Sequence, residues 1–189
     1  MKLRTWPLAV LPLLFYGALV ARYVQRHRLD DLLWPCNVAQ VFLIFGCAFR
    51  TPRLVAIATT WLTTGLPLWL LTVLMEKDLP ITSILTHVGG LTVGVIAAWR
   101  LHWPRHTWRW VVACHVLLLV ASRLLTNPEH NVNLAFAVQT GWERLFTSHP
   151  LYLVMMTALM SAGAFATERA AFYIFDIRNP RHKHAQGRS

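Results

Sequence analysis

Hydrophobic residues are concentrated in six long runs separated by short polar segments. The first five runs cover residues 6–24, 32–49, 54–75, 81–99 and 108–125. The sixth begins at residue 151 and ends between residues 167 and 175. Each run is close to the ~20 apolar residues with which an α-helix crosses the hydrocarbon core of a bilayer. Gly65, Pro67, Gly89 and Gly90 interrupt two of the runs, and transmembrane helices tolerate such residues. The pattern predicts an all-α fold, a polytopic membrane protein built as a bundle of six transmembrane helices.

The composition leaves room for one membrane domain and little else. Of the 189 residues, 56% are hydrophobic and 14% are charged, whereas a soluble domain carries ~25% charged residues. We expect a single transmembrane helical domain over residues 1–177. Residues 178–189 should form a basic, disordered cytoplasmic tail that lies against anionic lipid head groups. Residues 126–150 are mixed in character, and we expect a short amphipathic helix there.

The distribution of basic residues bears on partners and on orientation. The net charge is +10, but the Lys and Arg residues lie between the apolar runs and at the ends, with no basic face that would bind nucleic acid. With six crossings and an inner N-terminus, twelve Lys and Arg residues fall inside and six outside. The outer ones are Arg22, Arg26, Arg28, Lys77, Arg123 and Arg144. The positive-inside rule therefore predicts that both termini lie in the cytoplasm. The expected partners are membrane lipids.

Cys36 lies at the predicted start of the second helix. Pro35 precedes it, and proline in the first turn is a helix-start signal. Asp30 or Asp31 should cap the first amides of this helix. The positive end of a helix stabilises a thiolate, which is the nucleophilic form of cysteine. The alternative is that Cys36, like Cys47 and Cys114, is a small packing residue.

His87 lies within the fourth run, in the segment Thr86-His87-Val88-Gly89-Gly90. An ionisable side chain inside a membrane span is costly to bury and is a functional candidate by default. The alternative is a neutral imidazole that hydrogen-bonds to a neighbouring helix. Gly89 and Gly90 would allow another helix or an acyl chain to approach closely.

A third polar segment, residues 127–133, follows the fifth run and contains His130 and Asn131. It could be an ordinary polar turn. However, the second and fourth helices begin, and the fifth ends, on the same predicted outer side. Cys36, His87 and this turn should therefore lie at similar depth, which would supply a nucleophile, its base and an orienting group. No zinc-type ligand spacing occurs, although a metal site from the outer histidines stays an open alternative.

These segments resemble a known family. A Pro-Cys-Asn segment opens an early helix, a Thr-His segment followed by glycines lies on a later one, and an Asn-bearing turn precedes a final Pro-Leu-Tyr helix. The pattern, over roughly residues 31–165, is similar to the YwaF-type bacterial integral membrane proteins. Their animal relatives include an intramembrane acyltransferase that acts on ether phospholipids. The resemblance implies Cys36 as nucleophile and His87 as general base, with Asn131 or His130 as a third member.

The leading hypothesis is an intramembrane thiol-dependent lipid acyltransferase or lipid hydrolase with a Cys/His site near the outer leaflet of a bacterial cytoplasmic membrane. Because the acyl donor is itself a lipid, the reaction needs no cofactor. The alternative is a non-enzymatic multi-pass membrane protein, either a small-solute transporter or a partner in a membrane complex. Intramembrane histidine, glycine and proline would serve a solute path or helix packing equally well.

Overall fold

The computed structural model describes residues 5–76, 79–146 and 148–178. In these residues all regular structure is helical, and the chain forms a bundle of six helices, as predicted. The helices are α1 (Val10–Gln25, preceded by the 3₁₀ turn Trp6–Ala9), α2 (Pro35–Ala48), α3 (Pro52–Glu76), α4 (Ile81–Leu101), α5 (Thr107–Leu125) and α6 (His149–Arg178). Of the predicted tail, only Arg178 lies within the described residues, as the last residue of α6.

Prolines mark several helix boundaries. Pro35 and Pro52 open α2 and α3, where a missing N–H has no cost because the first amides of a helix lack intrahelical partners. Pro67 lies inside α3 without ending it. The second run was predicted to be helical from residue 32, but Leu29–Leu33 forms a separate 3₁₀ turn and α2 starts only at Pro35.

α2 is shorter than its neighbours. Within the described residues, five helices are long and apolar enough to cross a membrane, as expected of a multi-pass membrane protein, and α2 is a shorter apolar helix. It has 14 residues, whereas the helical stretch Trp6–Gln25 has 20 residues. At 1.5 Å per residue, α2 is therefore about 9 Å shorter. A neighbouring helix of full length must extend beyond α2 at one end.

α3 is the central helix of the bundle and packs against α2, α4, α5 and α6. Of its most apolar stretch, 44% of the residues are buried, compared with 11% for each of α1, α5 and α6. Glycine allows the closest approaches: a Cβ atom at Gly46 would meet Val55 at 2.7 Å, and one at Gly94 would meet Thr59 at 2.5 Å. Small residues at such contacts are typical of helix packing in membranes.

The outer faces of the peripheral helices are apolar. Leu14 on α1 and Leu117 and Leu124 on α5 are 61%, 66% and 76% exposed. Exposed leucines along whole helix faces would be costly in water, whereas in a bilayer they contact acyl chains. This distribution supports a membrane location for the bundle.

The predicted amphipathic helix between α5 and α6 does not form in the described part of residues 126–150. The chain instead makes two 3₁₀ turns, Pro128–His130 and Val132–Leu134. Asn131 and Asn133 adopt left-handed backbone conformations, with φ of 44° and 56°, which interrupt a helix. The buried Asn133 side chain donates to the Leu33 carbonyl at 3.0 Å and to the Ser122 hydroxyl at 2.7 Å. The loop is thereby fixed to the 3₁₀ turn before α2 and to the end of α5.

Candidate active site

A cleft of about 420 Å³ lies at one end of the bundle. We call this the cleft end: α1, α3 and α5 finish there, and α2, α4 and α6 begin there. The cleft is lined by the last turns of α1 and α3 and the first turns of α2 and α4. The first turns of α2 and α4 lie at a similar level, since Gln40 of α2 bonds to the Thr86 carbonyl of α4. Both Cys36 and His87 line this cleft.

Cys36 is the second residue of α2, as predicted, and its thiol is held by Asn37. The S–H group donates to Asn37 Oδ1 over 3.7 Å. Asn37 is itself only 3% exposed, and its Nδ2 donates to the Asp31 carbonyl at 2.7 Å and to the Tyr23 hydroxyl at 3.4 Å. The thiol therefore sits among polar side chains in the first turn of α2.

The expected capping of α2 by an aspartate is wrong. Trp34 occupies the N-cap position and no side chain accepts a bond from the first amides; instead, the Asn37 N–H donates to the Trp34 carbonyl at 2.9 Å. The Asp31 carboxylate accepts from Arg28 at 3.1 Å and from the Trp34 indole at 3.4 Å. Because Asp31 belongs to the 3₁₀ turn that precedes α2, it lies outside the capping position and orders the cleft wall.

His87 lies on a π-helical turn, Leu85–Gly89, within α4. Such single turns widen a helix locally and recur at functional sites. The Thr86 carbonyl accepts from Gln40 Nε2 of α2 at 2.9 Å. Gly90 leaves space for this side chain, because a Cβ atom there would overlap Gln40 Nε2. The distortion of α4 is thus held by a buried side chain from the helix that carries Cys36.

The His87 imidazole is fixed in orientation and tautomer. Its Nδ1 lies 2.9 Å from the Ser83 carbonyl, and since a carbonyl only accepts, Nδ1 carries the proton and Nε2 has the free electron pair. The ring stacks on Trp69, with centroids 4.7 Å apart, and the Trp69 indole donates to the Ser83 hydroxyl at 2.7 Å. A neutral imidazole with an available Nε2 is the form required of a general base.

Cys36 and His87 share the cleft without a direct hydrogen bond in the described structure. The thiol is bonded to Asn37 and the imidazole to Ser83. A catalytic pair in a ligand-free protein is often loosely aligned and closes only around substrate. The arrangement brings a thiol and an imidazole with an acceptor nitrogen into one pocket.

His130 and Asn131, the other predicted site residues, do not line the cleft. His130 Nδ1 lies 3.0 Å from the Asp30 carboxylate. The Asn131 amide oxygen accepts from the Phe136 and Ala137 amides, both at 3.0 Å, and its Nδ2 donates to the Ala137 carbonyl. Both side chains therefore shape the loop after α5, and the structure brings together only two of the four candidates.

Asp30 links this loop to the segment before α2. Its carboxylate accepts from the Asn127 backbone N–H at 2.8 Å and contacts His130. The Asn127 amide, followed by His130, holds the pKa of the Asp30 carboxyl below its ordinary value, because both stabilise the charged form. The loop after α5 is thereby joined to the segment before α2.

Sequence reasoning overlooked the basic wall of the cleft. Arg22, Arg26 and Arg28 line it together with Tyr23 and Asn37. A signal was present: Arg22 and Arg26 are four residues apart and so lie on one helix face, at the end where the charge bias predicts few basic residues.

Among the described residues, no group of three His, Cys, Asp or Glu side chains is placed to hold a metal ion. His149 Nε2, for example, lies 3.0 Å from the Leu134 carbonyl. Comparison with known proteins finds no matching family model, no matching curated protein and no matching solved structure.

Proposed function

We propose that this protein is an intramembrane thiol-dependent enzyme that transfers or hydrolyses the acyl chain of a membrane lipid. One observation carries the proposal: Cys36 and His87, far apart along the chain and on different helices, line the same cleft. The Nδ1–Ser83 bond leaves His87 Nε2 as the proton acceptor. The resemblance to the YwaF-type proteins and their acyltransferase relatives implies the same two residues.

In the first step, the Cys36 thiol gives its proton to His87 Nε2 and the sulfur attacks the ester carbonyl of the lipid. The carbon–sulfur bond forms, the ester carbon–oxygen bond breaks, and His87 returns the proton to the leaving alkoxide. The Asn37 and Val38 amides donate to the Trp34 carbonyl and Pro35 has no N–H, so the Cys36 N–H is the first-turn donor for the developing oxyanion.

In the second step, a lysolipid hydroxyl or a water molecule attacks the thioester. His87 takes the proton of that hydroxyl, the carbon–sulfur bond breaks, and the proton returns to the sulfur. The products are a new ester or a free fatty acid. No cofactor takes part, since the lipid supplies the acyl group and Cys36 carries it between the two steps.

The proposed setting follows from the charge bias. With twelve of the basic residues on one side, both termini lie in the cytoplasm and the cleft opens toward the outer leaflet of a bacterial cytoplasmic membrane. The basic C-terminal tail then contacts anionic head groups of the inner leaflet.

The test is labelling with a maleimide that carries an acyl chain, on full-length protein in detergent, followed by peptide mass spectrometry. We expect labelling at Cys36, and a slower rate in His87→Ala. In a phospholipid turnover assay, Cys36→Ala should lose activity by about 100-fold or more. Cys114→Ala is the matched control, because Cys114 is a half-buried thiol on α5 outside the cleft lining. Equal labelling of Cys114 and Cys36, or wild-type turnover by Cys36→Ala, would exclude the enzyme.

A non-enzymatic role is the second candidate, and one observation favours it: the thiol donates to Asn37 rather than to His87. A cleft lined by arginines would also suit passage of an anion or contact with a partner protein. Under this alternative, Cys36→Ala and His87→Ala leave the protein's activity in cells unchanged, while substitutions of the arginines reduce it.

A further inference from the structure

Gln40 is buried in α2, and its side chain crosses to α4. It is 0% exposed, and its Nε2 donates to the Thr86 carbonyl at 2.9 Å. We propose that Gln40 is the positioning residue of the site: this bond holds the π turn of α4 and thereby keeps His87 in the cleft with Cys36. The placement of His87 rests on geometry alone, while its consequence for turnover rests on the proposed function.

The backbone of the π turn explains why a side chain is needed there. In a regular α-helix each N–H donates to the carbonyl four residues earlier, so the Gly90 N–H would donate to Thr86. It donates instead to the Leu85 and His87 carbonyls. The Thr86 carbonyl thus loses its regular partner, and an unpaired carbonyl inside a membrane bundle is costly. Gln40 Nε2 takes the place of the Gly90 amide.

The π turn also sets the direction in which His87 points. Its hydrogen bonds span five residues instead of four, and one residue corresponds to about 100° of rotation around a helix. The later part of α4 is fixed, because a Cβ atom at Gly94 would meet the Thr59 hydroxyl of α3 at 2.5 Å. If the π turn relaxed to a regular helix, Ser83 would rotate relative to Gly94 by roughly that angle. The His87 ring is bonded to Ser83 and would turn with it.

The other half of the Gln40 amide argues against a packing role. Its Oε1 atom is buried and has no hydrogen-bond partner among the described residues. A buried acceptor without a partner destabilises a fold. An apolar side chain of similar size would therefore suit this place better if α2 and α4 had only to pack together. The bond from Nε2 to the Thr86 carbonyl is the interaction that accounts for an amide at this position.

The same bond fixes the spacing between the two proposed catalytic groups. Gln40 and Cys36 are four residues apart and lie on one face of α2, while Thr86 and His87 are neighbours on α4. The bond therefore joins the two helices one turn from the thiol and one residue from the imidazole. Gln40 is not among the residues that line the cleft, so it acts through His87.

The first test measures cross-linking in the full-length protein in detergent and needs no turnover. In the parent variant, Cys47→Ala and Cys114→Ala leave Cys36 as the one native cysteine, and His87→Cys adds a thiol on the π turn. A short bis-maleimide should join the two thiols, as detected by peptide mass spectrometry. Gln40→Met fills similar space without a donor and should lower the rate of cross-linking about tenfold or more, because the two thiols no longer face each other.

Two further variants separate positioning from packing, and the melting temperature of each is measured. Thr60→Val is the matched control, because it also removes one buried hydrogen bond, from the Thr60 hydroxyl to the Ala56 carbonyl within α3. It should leave the cross-linking rate unchanged. Gln40→Glu is the conservative variant. A neutral carboxylic acid can donate to the Thr86 carbonyl from the same place, and burial favours that form, so cross-linking should stay close to the parent rate.

The second test measures phospholipid turnover in the wild-type background. Gln40→Met should lower kcat roughly 10- to 100-fold and leave KM within about twofold of the wild type, because Gln40 does not touch the substrate. A purely structural role would reduce the amount of folded protein and leave kcat per folded molecule unchanged. If Gln40→Met slows cross-linking while the wild type shows no phospholipid turnover, the positioning role stands and only the proposed enzyme falls.

Three results would overturn the proposal. Equal cross-linking rates in the parent variant and in Gln40→Met would show that the π turn holds without the amide. An equal loss in Gln40→Met and in either Thr60→Val or Gln40→Glu would show that the donor to Thr86 is not what matters. A parent variant that forms no cross-link would show that the two thiols do not face one cleft.

Discussion

Glu168 of α6 holds α6 against the start of α5. It is only 7% exposed, and its carboxylate accepts from the backbone amides of His106 at 3.1 Å and Trp108 at 2.8 Å. These amides belong to the start of α5, where the N-cap residue supplies no side-chain hydrogen bond. A carboxylate from a distant part of the chain therefore replaces the local cap, and Glu168→Gln tests its contribution.

The size of the expected loss of stability follows from the hydrogen bonds that a glutamine side chain can still accept. Its carbonyl oxygen can accept from one amide, but its NH₂ group faces the second amide and leaves that donor unpaired. A hydrogen bond to a charged group contributes about 1.5–3 kcal/mol. The loss of a negative charge at a helix N-terminus costs about 0.3–1 kcal/mol more. We expect Glu168→Gln to lower the free energy of unfolding by about 2–4 kcal/mol.

The assay is equilibrium unfolding in mixed micelles with increasing denaturing detergent, followed by circular dichroism. Glu143→Gln is the matched control, since Glu143 accepts from the Gly141 amide at 2.8 Å in an exposed loop. Its effect should stay within about 0.5 kcal/mol. If Glu168→Gln were as mild as this control, the carboxylate would not be the cap on which α5 depends.

Two further predictions concern the cleft end. Gly90→Ala should destabilise the protein by about 1–3 kcal/mol, because the new methyl group overlaps the buried Gln40 side chain. Gly65→Ala is the control and should be neutral or stabilising, because a methyl group at Gly65 meets open space. Equal effects of the two substitutions in the same unfolding assay would contradict this prediction. Asp30→Asn should cost most stability near neutral pH. The pKa of Asp30 is lowered in the folded protein, chiefly by the Asn127 amide, so its contribution is present above the ordinary value of 3.8 and is lost as pH falls through the lower folded value. A melting-temperature difference between variant and wild type that is as large at about pH 2 as at about pH 6 would refute this.

The helices were predictable because a membrane demands continuous apolar runs of nearly fixed length. Five of the six runs correspond to helices of spanning length. α2 was the exception: the run continues through Leu32 and Leu33, but Pro35 restricts the backbone before it, and a 3₁₀ turn results. Apolarity alone does not distinguish an α-helix from a short 3₁₀ turn.

Part of the site was predictable from topology and part was not. Alternating helix direction places Cys36 and His87 at one end of the bundle, and they line one cleft. The same argument placed His130 and Asn131 at that end, but depth says nothing about which way a side chain points. Their partners are the Asp30 carboxylate and nearby backbone groups, which can be found only once the loop conformation is known.

The departures from regular structure collect around the cleft. α2 is short, α4 widens into a π turn, and a 3₁₀ turn with a buried aspartate joins α1 to α2. In the middle of α3, the buried Thr59 and Thr60 hydroxyls donate to carbonyls of their own helix. Near the cleft, by contrast, Asn37 and Gln40 bond to other elements. The short α2, the π turn of α4 and these bonds between elements coincide with the cleft, and such departures are expected where selection acts on chemistry or binding instead of stability.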